Sequence, residues 1–207
     1  MRPSGPQSDQ LEWVSPATPA SDAEMAARGL ARRRTLLQMR RDLPLDDATR
    51  GGAPPLVVRP FRADAASDVD GWIRTNNAAF AWHPDQGDWT ADRLAVRLGE
   101  DWVDLDWFLV HDGADGTIDG FCWTKVHPAG ADDPALGEIY VVAAHPATHG
   151  TGLGRALTVA GLDHLAARGL GVAMLYVEAD NAPAVALYER LGFGVHHADA
   201  GYAPAAP

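Results

Sequence analysis

The sequence predicts an α/β fold in which helices flank a mixed central sheet. Three observations predict it. From Leu56 onward, short apolar runs of strand length alternate with segments of helical periodicity. One run, "VAMLYVE" (172–178), is continuously apolar, as a strand covered on both faces should be. Two others, "WFLVH" and "GFCWTKVH", are separated by "DGADGTIDG", whose Asp-Gly pairs mark an antiparallel hairpin.

Residues 1–21 are rich in Pro, Ser and Ala, a composition that predicts disorder. Residues 22–43, "DAEMAARGLARRRTLLQMRRDL", predict a short helix, a stop at Gly29 and a strand ending in alternating Leu and Arg. Pro, Gly and Asp punctuate "PLDDATRGGAPP" (44–55), which reads as a linker. "LVVRPFR" (56–62) reads as a strand. Asp64 to Phe80 reads as a helix with Asp64 as its N-cap, and Thr90 to Leu98 as a second, weaker one. After the hairpin, "LGEIYVVAA" (136–144) is the next strand. Leu153, Leu157, Ala160, Gly161 and Leu165 then form one apolar stripe of a helix that Gly169 stops. "ADNAPAVALYERLG" (179–192) is a helix with Asp180 or Asn181 as cap and Pro183 in its first turn, and "FGVHHAD" (193–199) is the last strand. The order from Leu56 is β-α-α-β-β-β-α-β-α-β, an α/β arrangement.

Composition narrows the function. The apolar content of 46% is that of a globular protein, and no apolar run is long enough to span a bilayer. The N-terminus lacks the apolar core of a signal peptide. The single cysteine, Cys122, cannot form an internal disulfide, which agrees with a reducing, cytoplasmic setting. A net charge of -11 argues against a nucleic-acid partner, and the basic patch of Arg32, Arg33, Arg34, Arg40 and Arg41 reads as a solvated element edge. The eight histidines show no metal-ligand spacing, so no metal is expected.

The stretch "HPATHGTGLGRAL" (145–157) places Gly150, Gly152 and Gly154 between a strand and a helix. A helix start offers unpaired N–H groups and the positive end of its dipole. Glycines let an anion approach those amides, so the junction reads either as a phosphate cradle or as a plain tight turn. A dinucleotide fingerprint fails, because Arg155 stands where its last glycine is required, and a P-loop fails for want of a lysine.

The loop resembles instead the acyl-CoA pyrophosphate loop of the GNAT N-acetyltransferase superfamily, Q/R-x-x-G-x-G/A. Gly152 and Gly154 fill its two small positions, while His149 replaces the usual Gln or Arg and Thr151 a common Arg. "E-x-Y-V-x-x-x-x-P" before the loop and "N-x-x-A-x-x-L-Y-x-x-L-G-F" after it are further landmarks of that superfamily. "NNAAFAWHPDQGDWT", "GFCWTKVHP", "LGEIYVV", "MLYVEADNAPAVALYERLGF" and "LLQMRRDLP" resemble the mycothiol synthase family in particular. That resemblance implies two tandem GNAT domains. Residues 56–203 would be the catalytic second one, and 22–43 a remnant helix and strand of the first. It also implies acetyl transfer from acetyl-CoA, as co-substrate, to the cysteine amine of cysteinyl-glucosaminyl-inositol, a small-molecule acceptor. Another amine, or a non-catalytic CoA-binding remnant, are the alternatives, and the oligomeric state stays open.

By the same resemblance Glu138 is the general base and also touches the acceptor, and Tyr188 is the acid that protonates the departing CoA sulfur. On its own, Glu138 is as readily a solvated strand residue and Tyr188 a packed helix residue. The resemblance assigns CoA contacts to Val142, Ala143 and Ala144, to His149, Gly150, Thr151, Gly152, Leu153, Gly154 and Arg155, and to Asn181, Ala182, Pro183, Ala184, Val185 and Ala186. It assigns the acceptor to Lys125 and Tyr176, with Asp85 a looser match. Strand alternation places Glu138, Tyr140 and Val142 on one face, with roughly 13 Å spanned by those four steps. Cys122 reads as a packed thiol, not a nucleophile, and His196-His197 as ordinary surface.

Overall fold

The computed structural model describes residues 10–51, 55–83, 85–131 and 133–205. In chain order the first elements are β1 (Glu12–Val14), α1 (Pro19–Ala27), β2 (Leu30–Asp42), α2 (Asp47–Arg50), β3 (Arg59–Pro60), α3 (Ala66–Ala79) and α4 (Ala91–Leu98). There follow β4 (Phe108–Asp112), β5 (Ile118–His127), β6 (Leu136–Ala144), α5 (Leu153–Ala167), β7 (Val172–Glu178), α6 (Ala182–Arg190) and β8 (Gly194–Pro204). From β3 onward this is the order the sequence predicts. The residues group into two compact units: a central unit from Asp42 to Ala173, and a split unit that joins the chain up to Arg41 with the chain from Met174 on.

In the central unit β3, β4, β5 and β6 lie side by side and antiparallel. Alternation along β5 sorts the layers. Phe121 and Trp123 face α3, packing with Trp72, Phe61, Phe108 and Leu94 in an aromatic core. Cys122 and Thr124 face the opposite way, toward α5, whose Leu157, Gly161, Leu162 and Leu165 are buried. β3 is shorter than the predicted strand. It is an edge strand, and Pro60 within it has no N–H to donate.

Three further details depart from expectation. Asp64 does not cap α3: the N-cap is Ala65, without a side-chain bond. Asp68, in the first turn, instead ties the helix start to the preceding chain by accepting the Arg62 amide at 3.0 Å and the Arg59 and Arg62 guanidinium groups. The stretch expected to be disordered holds β1 and the start of α1. Trp13 lies under the Arg34 guanidinium, and Thr18 with Ser21 forms a capping box; residues 1–9 lie outside those described. The linker contains a helical turn, α2, with Asp46 as N-cap and Gly51 at φ 74° closing it. Arg50 pairs with Asp163 of α5, and Arg155 Nη2 donates to the Thr49 carbonyl at 2.6 Å; residues 52–54 lie outside those described.

In the split unit the strand order is β1, β8, β2, β7. β1 and β2 both run antiparallel to β8. The basic patch of β2 is engaged within this unit: Arg32 with Asp22, Arg33 with the Pro204 carbonyl, Arg34 with Glu178, Arg40 with Gln38 and Arg41 with the Leu191 carbonyl.

Candidate active site

Glu138 lies on β6 directly opposite Lys125 of β5. Opposed residues of an antiparallel pair share a face, and this is the face of Trp123 and the aromatic core. Only 3% of the Glu138 side chain is exposed. Its Oε2 accepts a hydrogen bond from His127 Nε2 at 2.7 Å, from two residues further along β5. Lys125 is buried too, and its ammonium lies over the Trp102 ring at 4.0 Å and the Tyr140 ring at 5.8 Å. Burial lowers the Lys125 pKa, and Arg97 adds to this, while the charges of Glu138 and Glu100 oppose it. Burial likewise raises the Tyr140 phenol. A carboxylate, an amine with reduced hold on its proton and two aromatic rings thus meet in a largely buried site.

The β5–β6 register slips by one residue between Trp123 and Thr124. Trp123 pairs with Val141 and Thr124 with Ile139, so Tyr140 is the extra residue of a bulge. The bulge resets the alternation. Val142 pairs with Cys122 and therefore lies on the α5 face, opposite Glu138. This corrects the expectation that Glu138, Tyr140 and Val142 share a face; a bulge depends on the partner strand, which β6 alone does not reveal. Ala143 returns to the aromatic face, and Ala144 ends the strand.

Beyond Ala144 the chain enters a 3-10 turn (Pro146–Thr148) that His145 caps through its side chain. Gly150 and Gly152 hold φ of 81° and 85°, and Gly152 is the N-cap of α5. Those backbone angles are costly for any residue with a Cβ. A Cβ built at Gly150, Gly152 or Gly154 would meet nothing within 4 Å, so the loop's surface stands open. His149 and Thr151 are exposed; Leu153 and Arg155 are half-buried, and the Arg155 guanidinium turns back to the linker carbonyls.

In the split unit, Tyr176 of β7 accepts a hydrogen bond from the buried Gln38 Nε2 at 2.7 Å, and Gln38 in turn accepts from Arg40. Asn181 caps α6 by accepting the Ala184 amide, with Pro183 in the first turn; Ala182 and Pro183 are exposed, while Ala184, Val185 and Ala186 are half-buried. Tyr188 is half-buried, its ring 5.9 Å from Phe193 in an edge contact. Asp85 is buried in the turn after α3, and its carbonyl accepts from Arg93.

The profile of the acetyltransferase (GNAT) family matches residues 76–193, over half of the chain. The chain belongs to the GNAT family. Among curated relatives, it is 46% identical to the mycothiol acetyltransferase of Rhodococcus jostii over 205 residues, covering 95% of this chain and 65% of that protein. It is 45% identical to the mycothiol acetyltransferase of Segniliparus rotundus, covering 92% of this chain and 71% of that one. Among solved structures, a GCN5-related N-acetyltransferase from Sphaerobacter thermophilus superposes with a TM-score of 0.71 over 93% of this chain and 58% of that one, at 22% identity, a likeness of fold.

Within this GNAT chain a cavity of ≈ 310 Å³ is lined by Leu109, Ala156, Ala160, Arg155, Asp163 and others. Leu109 pairs with Cys122, which places this cavity on the α5 face and Glu138 on the other, so it plays no part with the carboxylate. Burial pushes the Cys122 thiol up to about 12, as suits a packed, unreactive sulfur. Among the described residues no group of three or more His, Cys, Asp and Glu could hold a metal ion, and no helix is long and apolar enough to cross a membrane. The residue that sequence reasoning missed is His127. The signal was present: Lys125 and His127 are two apart on one strand, so both face whatever lies opposite.

Proposed function

We propose that this chain transfers the acetyl group of acetyl-CoA to the amine of a cysteinyl sugar, cysteinyl-glucosaminyl-inositol, the acceptor that its resemblance to the mycothiol synthase family implies and that agrees with relatives named mycothiol acetyltransferase. The observation that carries this reading is the buried Glu138 carboxylate on the strand that leads, through the Pro146–Thr148 turn, to the open Gly150–Gly154 turn. The turn fits a diphosphate, since its positive-φ glycines present bare backbone at a helix start. His149 to Arg155 would hold the diphosphate, Val142, Ala143 and Ala144 the pantetheine arm through their backbone, and Asn181 to Ala186 the rest of the cofactor. When bound, acetyl-CoA supplies an acyl group activated as a thioester.

Glu138 accepts the proton that the acceptor nitrogen loses as it becomes an amide, and Tyr188 Oη holds a proton for the departing sulfur. Lys125, Tyr176 and Asp85 orient the acceptor. Because the acceptor carries a free thiol, a reducing cytoplasm is the setting that suits it.

The test is acetyl transfer by purified protein to the cysteinyl sugar and, in parallel, to simple primary amines. Glu138→Gln should lower kcat by about 10²–10⁴. Undiminished turnover in that variant removes the base assignment, and equal rates on simple amines remove the cysteinyl sugar as the preferred acceptor.

A further inference from the structure

We propose that His127 is a positioning residue for acetyl transfer: it holds one oxygen of Glu138 so that the other is presented to the acceptor amine. The inference rests on reading Glu138 as the base. A carboxylate has only lone pairs to offer, so the 2.7 Å contact requires His127 Nε2 to donate. The two side chains sit diagonally across the β5–β6 ladder, with His127 opposite Leu136 and Glu138 opposite Lys125. Lys125 is the nearer cation by register, yet its ammonium is drawn over Trp102. Glu100, which ion-pairs with Arg97 at 3.3 Å, accepts the Trp102 indole N–H and keeps that ring in place.

Free rotation about the last side-chain bond is the problem this contact solves. That torsion in glutamate is broad, so an untethered carboxylate samples many directions. Anchoring Oε2 leaves Oε1 with a fixed aim. The geometry of the bond makes His127 the anchor, and its 27% side-chain exposure, against 3% for Glu138, lets the ring reach from the rim inward. Misplacing a reacting group by about 1 Å can cost about 10²-fold in rate.

The test is a double-mutant cycle on the full chain, read by steady-state transfer from acetyl-CoA to the cysteinyl sugar. His127→Ala should lower kcat by roughly 10- to 100-fold with KM for acetyl-CoA unchanged. His127→Gln, whose amide nitrogen can occupy the place of Nε2, should recover most of that loss. In the Glu138→Gln background, His127→Ala should cost nothing more. Wild-type kcat in His127→Ala, an effect confined to KM for acetyl-CoA, no recovery in the Gln variant, or the same loss in both backgrounds would each overturn the proposal. If Glu138→Gln itself turns over normally, the base reading falls; if it is slow while His127→Ala is fast, only the positioning role falls.

Discussion

Asp68 joins the strand that precedes it to the start of α3 through three donors: the Arg62 amide and the guanidinium groups of Arg59 and Arg62. Burial works against its charge, but the hydrogen bonds from Arg62 and Arg59 outweigh it and hold the carboxyl well below the usual aspartate range. The stabilisation is therefore complete above the ordinary value of 3.8 and is lost as pH falls through it toward the folded value. Asp68→Asn should cost about 2 kcal/mol at neutral pH, with that cost shrinking in acid unfolding measured below about pH 4. A cost that stays constant down to pH 2 would show that the charge is not responsible. At this scale the sequence was only partly legible. Asp64 and Asp68 both sit near the helix start, and nothing local says which one turns inward; two arginines brought alongside decide it. Glu138 is singled out by its motif, while the hydrogen bond that His127 gives it is not legible, because a histidine's partner lies across the ladder.

Gly161 sets how closely α5 lies on the sheet. A Cβ there would come within 2.4 Å of Cys122 Sγ and 2.9 Å of Ile139 Cδ1, closer than packed atoms allow. Gly161→Ala should destabilise the protein by about 1–3 kcal/mol, despite alanine's better helix propensity. Adding Cys122→Ala should recover part of the loss, since the smaller side chain vacates the space the new methyl needs; chemical denaturation of the single and double variants decides this. The α5 stripe was readable from its spacing, Gly161 included, because helical periodicity is a property of one segment. The Tyr140 bulge was not, because one residue too many is defined only against the strand beside it. The same contrast holds for β2, whose strand character showed in its own letters while its neighbours, β8 and β7, come from the far part of the chain.

Cys122 offers a probe of the whole molecule. It is fully buried between β5 and α5, and its thiol is pushed up to about 12. An alkylating reagent at pH 8 should label it only when the central unit opens, so the labelling rate should follow global stability across the variants above. Fast labelling in native buffer, independent of added denaturant, would contradict that burial. The interleaving of β2 with β8 and β7 has a consequence for biosynthesis. Arg34 and Glu178 are 144 residues apart, so at ribosomal speeds of 5–20 residues per second β2 leaves the exit tunnel roughly 7–30 s before its partner does. Throughout that interval the segment that becomes β2 has neither of its sheet neighbours, β8 and β7, to pair with. The arginines that later find Glu178 and the carbonyls of Pro204 and Leu191 meanwhile give the nascent strand enough like charge to discourage it from pairing with its neighbours on the polysome.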